Sequence, residues 1–129
     1  MKSIRLFLGT LAILSFASLA LADQPLKVTV VRPNGGEYFA MAPCSASTIT
    51  WTADDVAVET VEIRLDRTND GVFEQQITLI NGQDPGFYNW APNGPPSDSA
   101  KVKVIVTAQD GRVGYDVSNN TFRINQWCP

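Results

Sequence analysis

The sequence predicts an all-β fold, an immunoglobulin-like or fibronectin-III-like antiparallel β-sandwich of about seven strands. Three observations support this prediction. Apolar and polar residues alternate with a period of two along most of the chain, which is typical of strands with one buried face. Turn-forming Gly, Pro, Asn and Asp residues separate the alternating runs. No segment has a convincing helical period, and such sandwiches are built from about seven short strands in about 100 residues.

Each predicted strand is a short run rich in β-branched and aromatic residues. The clearest is 61–66, in which three aliphatic residues alternate with charged ones. In strand 73–79 the same alternation places Phe73, Ile77 and Leu79 on the core side. In chain order, the predicted strands are 26–31, 47–52, 61–66, 73–79, 87–90, 101–108 and 120–125.

Residues 1–22 have the pattern of a secretory signal peptide. Lys2 and Arg5 precede an apolar run, and Ala20-Leu21-Ala22 matches a cleavage site. Polar interruptions and the lack of a charged stop-transfer flank favour cleavage over retention as an anchor. We therefore expect one Ig-like domain over 23–129, periplasmic or extracellular, without a transmembrane anchor after cleavage.

Charge and composition exclude several function classes. Loss of Lys2 and Arg5 with the signal peptide leaves eight cationic residues against thirteen acids, a net charge of −5. Such a surface repels phosphate backbones, so we expect neither nucleic acid nor anionic membranes as partners. The sequence has no His, which removes the commonest general base and rules out a Ser-His-Asp triad. We expect no enzymatic activity and no cofactor.

The two cysteines, Cys44 and Cys128, predict a disulfide in an exported protein. If strand direction alternates, the second strand starts at the end of the sandwich where the seventh strand finishes. Cys44 precedes the second strand and Cys128 follows the seventh, so both lie at that end. The bridge would then fix the C-terminal tail and would not join the two sheets through the core.

The segment 66–74, "DRTNDGVFE", partly matches a calcium-binding loop. Asp66, Asp70 and Glu74 would supply carboxylates, but Thr68 replaces an acid within the pattern. The favoured interpretation is a hairpin whose turn is Asn69-Asp70-Gly71, with calcium binding as the alternative and no metal as the main expectation.

Four segments together resemble a known family. They are "VRPNGGE" (31–37), "STITW" (47–51), "GFYNW" (86–90) and "DVSNNTFRI" (116–124). In this order they are similar to the Ig-like domain of the Ser/Thr-rich GPI-anchored membrane protein family, also known as the yeast cell-wall synthesis N-terminal domain. Bacterial relatives of that family occur in secreted and surface proteins. The resemblance covers about 27–125 and implies a β-sandwich that works at the cell envelope, although the cysteine pair departs from the family pattern.

Elementary chemistry predicts a structural role for the first of these segments, 31–37. Pro33 ends a strand because it lacks an amide donor, and Gly35 supplies a backbone angle that other residues resist. Glu37 can accept hydrogen bonds from the amides of the turn. The segment is therefore expected to turn the chain and let it change sheets, while Trp51 and Trp90 fill the space between the sheets.

The candidate binding residues are aromatic side chains that do not fall on predicted inner faces. We expect binding at loops 93–99 and 110–116, at one end of the sandwich. The predicted function is a secreted, non-catalytic binding module that recognises a cell-wall or surface polysaccharide; the alternative is a protein-interaction or structural domain whose partner is another envelope protein. The candidate residues are Phe87, Tyr115, Trp127 and Arg112.

Overall fold

The computed structural model describes residues 24–128, which form nine β-strands and no helix. The predicted signal peptide lies outside the described residues. The strands are β1 (Val28–Arg32), β2 (Tyr38–Ala40), β3 (Ser47–Ala53), β4 (Val58–Asp66), β5 (Gln75–Asn81), β6 (Phe87–Trp90), β7 (Ser97–Ala108), β8 (Val113–Val117) and β9 (Phe122–Asn125).

The strands form two packed sheets, so the predicted β-sandwich is confirmed. One sheet has the order β1-β3-β6, and the other has the order β2-β9-β7-β4-β5, with β8 pairing beside β9 along β7. The prediction of uniformly antiparallel strands is wrong in one place, because β2 pairs with β9 in parallel. Two strands, β2 and β8, were not predicted from the sequence.

The core lies between the sheets and is built from the alternating positions. Trp51 and Trp90 are buried as predicted, and Trp90 packs against Phe39 and Phe122 with ring centroids 5.7 and 6.4 Å away. The aliphatic part of the core comes mainly from β1, β4 and β7. Its largest fully buried members are Val30, Ile49, Val61, Ile63, Leu65, Val102, Val104, Val106 and Ile124.

The segment between β1 and β2 carries the chain from one sheet to the other, as its sequence predicts. Glu37 closes the turn, since its carboxylate accepts hydrogen bonds from the amides of Asn34 and Gly35 at 2.7 and 2.6 Å. Gly35 has φ +150°, and a Cβ there would lie 2.9 Å from Asn120 Cβ. Gly35 is therefore required both by backbone angle and by close approach.

The same turn binds the segment between β8 and β9, so the first and last of the four family-like segments are in direct contact. Asn34 Oδ1 accepts a hydrogen bond from the Asn119 amide at 2.7 Å. The Gly36 amide donates to the Thr121 carbonyl at 2.9 Å. These bonds hold β2 beside β9 after the chain has changed sheets.

Cys44 and Cys128 form the predicted disulfide, with Cα atoms 5.4 Å apart. The bridge joins the segment before β3 to the segment after β9, so it fixes the C-terminal end of the chain and does not cross the core. Disulfides of this kind are typical of oxidising compartments.

One edge strand departs from the predicted alternation. Opposite partners in an antiparallel pair share a face, and Ile80 lies opposite the buried Val61 while Leu79 lies opposite Glu62. Leu79 therefore faces solvent, contrary to prediction. The reason is a bulge that shifts the register between β4 and β5. Phe73 precedes β5 and lies on the outer face, so only Ile77 of the three predicted residues packs against the core.

Candidate functional site

The three candidate aromatic side chains are exposed but lie on separate surfaces. Phe87 is 51% exposed on β6, at the edge of the three-stranded sheet. Tyr115 is 61% exposed on β8, on the other sheet. Trp127 is 69% exposed beside Cys128, beyond the last strand. The fold does not bring these rings together into one aromatic platform.

The two loops expected to form one site lie at opposite ends of the sandwich. Loop 93–99 leads into β7, whereas 110–112 follows the other end of the same strand. A strand of twelve residues is about 40 Å long, so the loops are far apart. This corrects the expectation that both loops act at one end. It also moves Tyr115 from a loop to a strand.

Arg112 lies in the tight connection between β7 and β8 and is paired within it. Its Nε atom is 2.8 Å from Asp110 Oδ2, and its amide donates to Asp110 Oδ1 at 3.0 Å. The hydrogen bond from the Arg112 amide, helped by the guanidinium, lowers the pKa of Asp110. Arg112 therefore has a local structural partner and does not join the aromatic residues.

The 66–74 segment is a loop held together by a buried carboxylate. Both Asp66 oxygens are used: Oδ1 accepts from the Thr68 amide at 3.0 Å, and Oδ2 accepts from the Gly71 amide at 2.9 Å. Burial opposes ionisation of Asp66, but these amide hydrogen bonds outweigh it and lower its pKa. The predicted hairpin is present, since β4 and β5 on either side of this loop pair antiparallel, and φ is positive at Asn69 and Gly71 within it.

The three alternative calcium ligands do not form one site, although the Asp70 side chain lies within hydrogen-bond reach of Asp66. Asp70 Oδ1 instead accepts a hydrogen bond from the Val72 amide at 2.9 Å, and Glu74 is exposed. Within residues 24–128, no three Asp, Glu, Cys or His side chains are grouped so that they could hold a metal ion. A cleft of about 250 Å³ borders the loop, and its acidic groups serve the loop's own amides.

A larger cleft of about 470 Å³ lies beside the β3–β4 and β5–β6 connections, and it is acidic. Two of its carboxylates have structural partners. Asp54 accepts a hydrogen bond from the Lys27 amide at 2.8 Å, and Asp84 accepts one from Trp51 Nε1 at 2.7 Å. These bonds tie the cleft walls to the core strands.

An apolar surface surrounds Tyr115 on the outer face of the six-stranded sheet. Ile105 lies directly opposite Tyr115, and Val113 and Val117 flank it along β8 on the same face. Val113 is 45% exposed. We call these four residues, Ile105, Val113, Tyr115 and Val117, the β8 patch.

Charged side chains border the β8 patch and hold its central ring. Lys103 Nζ lies 4.3 Å from the centroid of the Tyr115 ring and 5.8 Å from that of Phe73. Such cation–π contacts orient both groups. Glu62 and Arg64 are next on the sheet and form an ion pair at 3.2 Å. The arrangement is a rigid apolar centre with charged neighbours.

The comparisons with known proteins address the fold alone. No family model matches this sequence, and no curated protein is significantly similar to it. The crystal structure of an engineered protein is similar over 77% of this chain, with 16% sequence identity and a TM-score of 0.51. The matched part makes up 20% of that protein. In the described part of this chain, no helix has the length and hydropathy needed to span a membrane.

Proposed function

We propose that this protein is a non-catalytic binding domain of the cell envelope or an extracellular assembly, and that it recognises a protein partner through the β8 patch. The observation that carries this proposal is the exposed Tyr115 ring at the centre of an aliphatic sheet face. Tyrosine at the centre of an apolar surface is a typical interface hot spot.

The composition of the patch and its border suits a protein surface. Interfaces combine an apolar centre with a polar rim, and Lys103, Glu62 and Arg64 supply that rim here. The patch lies on paired strands, so little ordering entropy is lost when a partner binds. The sheet therefore offers a preorganised surface and not an adaptable loop.

The proposed location outside the cytoplasm rests on two supports. The Cys44–Cys128 disulfide favours an oxidising compartment, and residues 1–22 have the pattern of a signal peptide. The resemblance to envelope-associated Ig-like domains agrees with this location. Secretion to the periplasm or cell surface is part of the proposal.

A polysaccharide of the cell wall or surface is the second candidate partner. The exposed ring of Tyr115 favours it, because aromatic faces stack on sugar rings. Phe87 and Trp127 lie on other surfaces, so a sugar chain bound at Tyr115 would meet only this one of the three rings. The aliphatic neighbours of Tyr115 therefore favour a protein partner over a polysaccharide.

The test is capture of partners from an envelope extract by the immobilised, oxidised protein. We expect one protein to bind at a fixed stoichiometry and Tyr115→Ser to abolish its capture. Phe87→Ser is the matched control, since it removes an exposed ring from the other sheet and should leave capture intact. Saturable co-sedimentation with cell-wall polysaccharide, lost in Tyr115→Ser, would instead establish the second candidate. Equal capture of the partner by Tyr115→Ser and Phe87→Ser would refute the proposal that the β8 patch is the binding surface.

A further inference from the structure

The strand β5 is an open edge of the six-stranded sheet. It pairs with β4 on one side, and on its other side no strand lies among residues 24–128. An edge strand presents a row of unpaired amide and carbonyl groups, which makes it a template for another strand. At seven residues, β5 is longer than β6 at the edge of the other sheet, which has four.

The composition of β5 does not protect this edge. Its sequence, QQITLIN, contains no charged residue, no proline and no glycine. Proteins usually protect exposed edges with charges or prolines. One protective feature is present, the bulge near Ile77, and it leaves the stretch from Thr78 to Asn81 in regular pairing with β4.

We propose that two copies of this chain associate through β5, antiparallel about a two-fold axis at Leu79. In this register Leu79 lies opposite Leu79 of the second copy on the outer face, and Thr78 lies opposite Ile80. Opposite residues then share a face, so the two six-stranded sheets continue into one. Leu79 is 45% exposed in the single chain and becomes covered by its symmetry mate.

Charge favours a second copy at this edge. The chain carries a net charge of −3 over its full sequence, so two copies repel each other where their acidic surfaces would meet. The stretch from Thr78 to Asn81 contains no charged side chain, so two copies meet there without like-charge repulsion. An antiparallel pair also satisfies the free backbone groups of both copies.

The opposite side of the sandwich is closed, which limits association to a pair. The Leu26 amide donates to the Val113 carbonyl, and the Val30 amide donates to Asp116 Oδ2 at 2.8 Å. These bonds join the β1 side of one sheet to β8 of the other. Because β5 is the longest open edge strand among residues 24–128, a two-fold contact uses the same surface on both copies and closes without forming a fibre.

Sedimentation equilibrium of the oxidised protein across the micromolar to millimolar range tests this proposal. We expect a monomer–dimer equilibrium that Leu79→Lys abolishes, because the variant sets two cations opposite each other. Val113→Lys is the matched control: Val113 is also 45% exposed on the same face but lies on β8, so the dimer should persist. Unchanged circular dichroism establishes that both variants fold.

A second variant tests the register. Leu79→Cys should give a covalent dimer on mild oxidation, whereas Val113→Cys should not. A wild-type monomer at all concentrations would overturn the proposal, as would a dimer that survives Leu79→Lys or an open series of larger oligomers. A monomer that instead binds an unrelated extended peptide at β5 would also overturn it. Capture of an envelope protein through Tyr115 is measured separately, so either proposal can fail alone.

Discussion

At the scale of single residues, Gly114 on β8 lies directly against the backbone of Leu26, just before β1. A Cβ on Gly114 would lie 2.2 Å from the Leu26 carbonyl oxygen, and that backbone is fixed by its bond to β8. We predict that Gly114→Ala lowers the free energy of unfolding by about 2 kcal/mol or more, since overpacking forces the backbone to move.

Urea denaturation measures this effect, with Gly94→Ala as the control. A Cβ on Gly94 would meet only the end of the Met41 side chain, which can move. The control should therefore unfold close to the wild type. If Gly114→Ala were as stable as the wild type, the Leu26 backbone and β8 would not be as close as described.

Asp66 links stability to pH through its two amide hydrogen bonds. Its folded-state pKa lies below the usual value of 3.8, so its contribution is fully present above that value and is lost as pH falls through the folded pKa. We predict that Asp66→Asn lowers the free energy of unfolding by about 1–3 kcal/mol at neutral pH, because one partly buried amide loses its charged acceptor. The difference in the free energy of unfolding between Asp66→Asn and the wild type should become smaller below pH 3.8. Urea unfolding curves at pH 7 and pH 3 measure both effects. Asp98→Asn is the control, because Asp98 is exposed and its replacement should change stability little at either pH. A stability difference between Asp66→Asn and the wild type that is the same at both pH values would contradict the proposed role of Asp66.

At the scale of elements, strands were predictable where apolar residues occupy every inward position and polar or charged residues occupy every outward position. The strand β4 alternates buried aliphatic with charged residues, and its pattern gave a correct prediction. The strand β8 was missed because its inward positions are Gly114 and Asp116, which contact the backbone of β1 and its approach instead of filling the core. The face of Leu79 was wrong because a bulge in the pairing reverses the parity, and a sequence does not reveal a bulge.

The disulfide was predictable from cysteine count and strand parity, and its energetic role can be measured. It closes a loop with a sequence separation of 84 residues. In the loop-entropy model, removing it lowers the free energy of unfolding by about 4–5 kcal/mol. We predict this loss for the Cys44→Ser, Cys128→Ser double variant in urea denaturation. The reduced wild-type protein is the control and should unfold at the same urea concentration as the double variant. Equal stability of the oxidised and reduced wild-type proteins would contradict the prediction.

At the scale of the whole molecule, the candidate site was only partly predictable. Strand parity indicated that Phe87 points outward, and Tyr115 was expected in an end loop; both side chains are exposed. Which residues share a surface depends on strand order across two sheets, and this order is a tertiary property. The β8 patch joins Ile105 to Tyr115 through a pairing between β7 and β8, a strand that the sequence did not reveal.

The proposed function requires that the protein binds its partner through the outer face of the six-stranded sheet. Amide hydrogen exchange of the protein, alone and with the captured partner, tests it most directly. We predict slower exchange on binding for β8 and the adjacent part of β7, with β6 unchanged. Protection confined to β6 or to the segment around Trp127, with β8 exchanging as in the free protein, would contradict the claim.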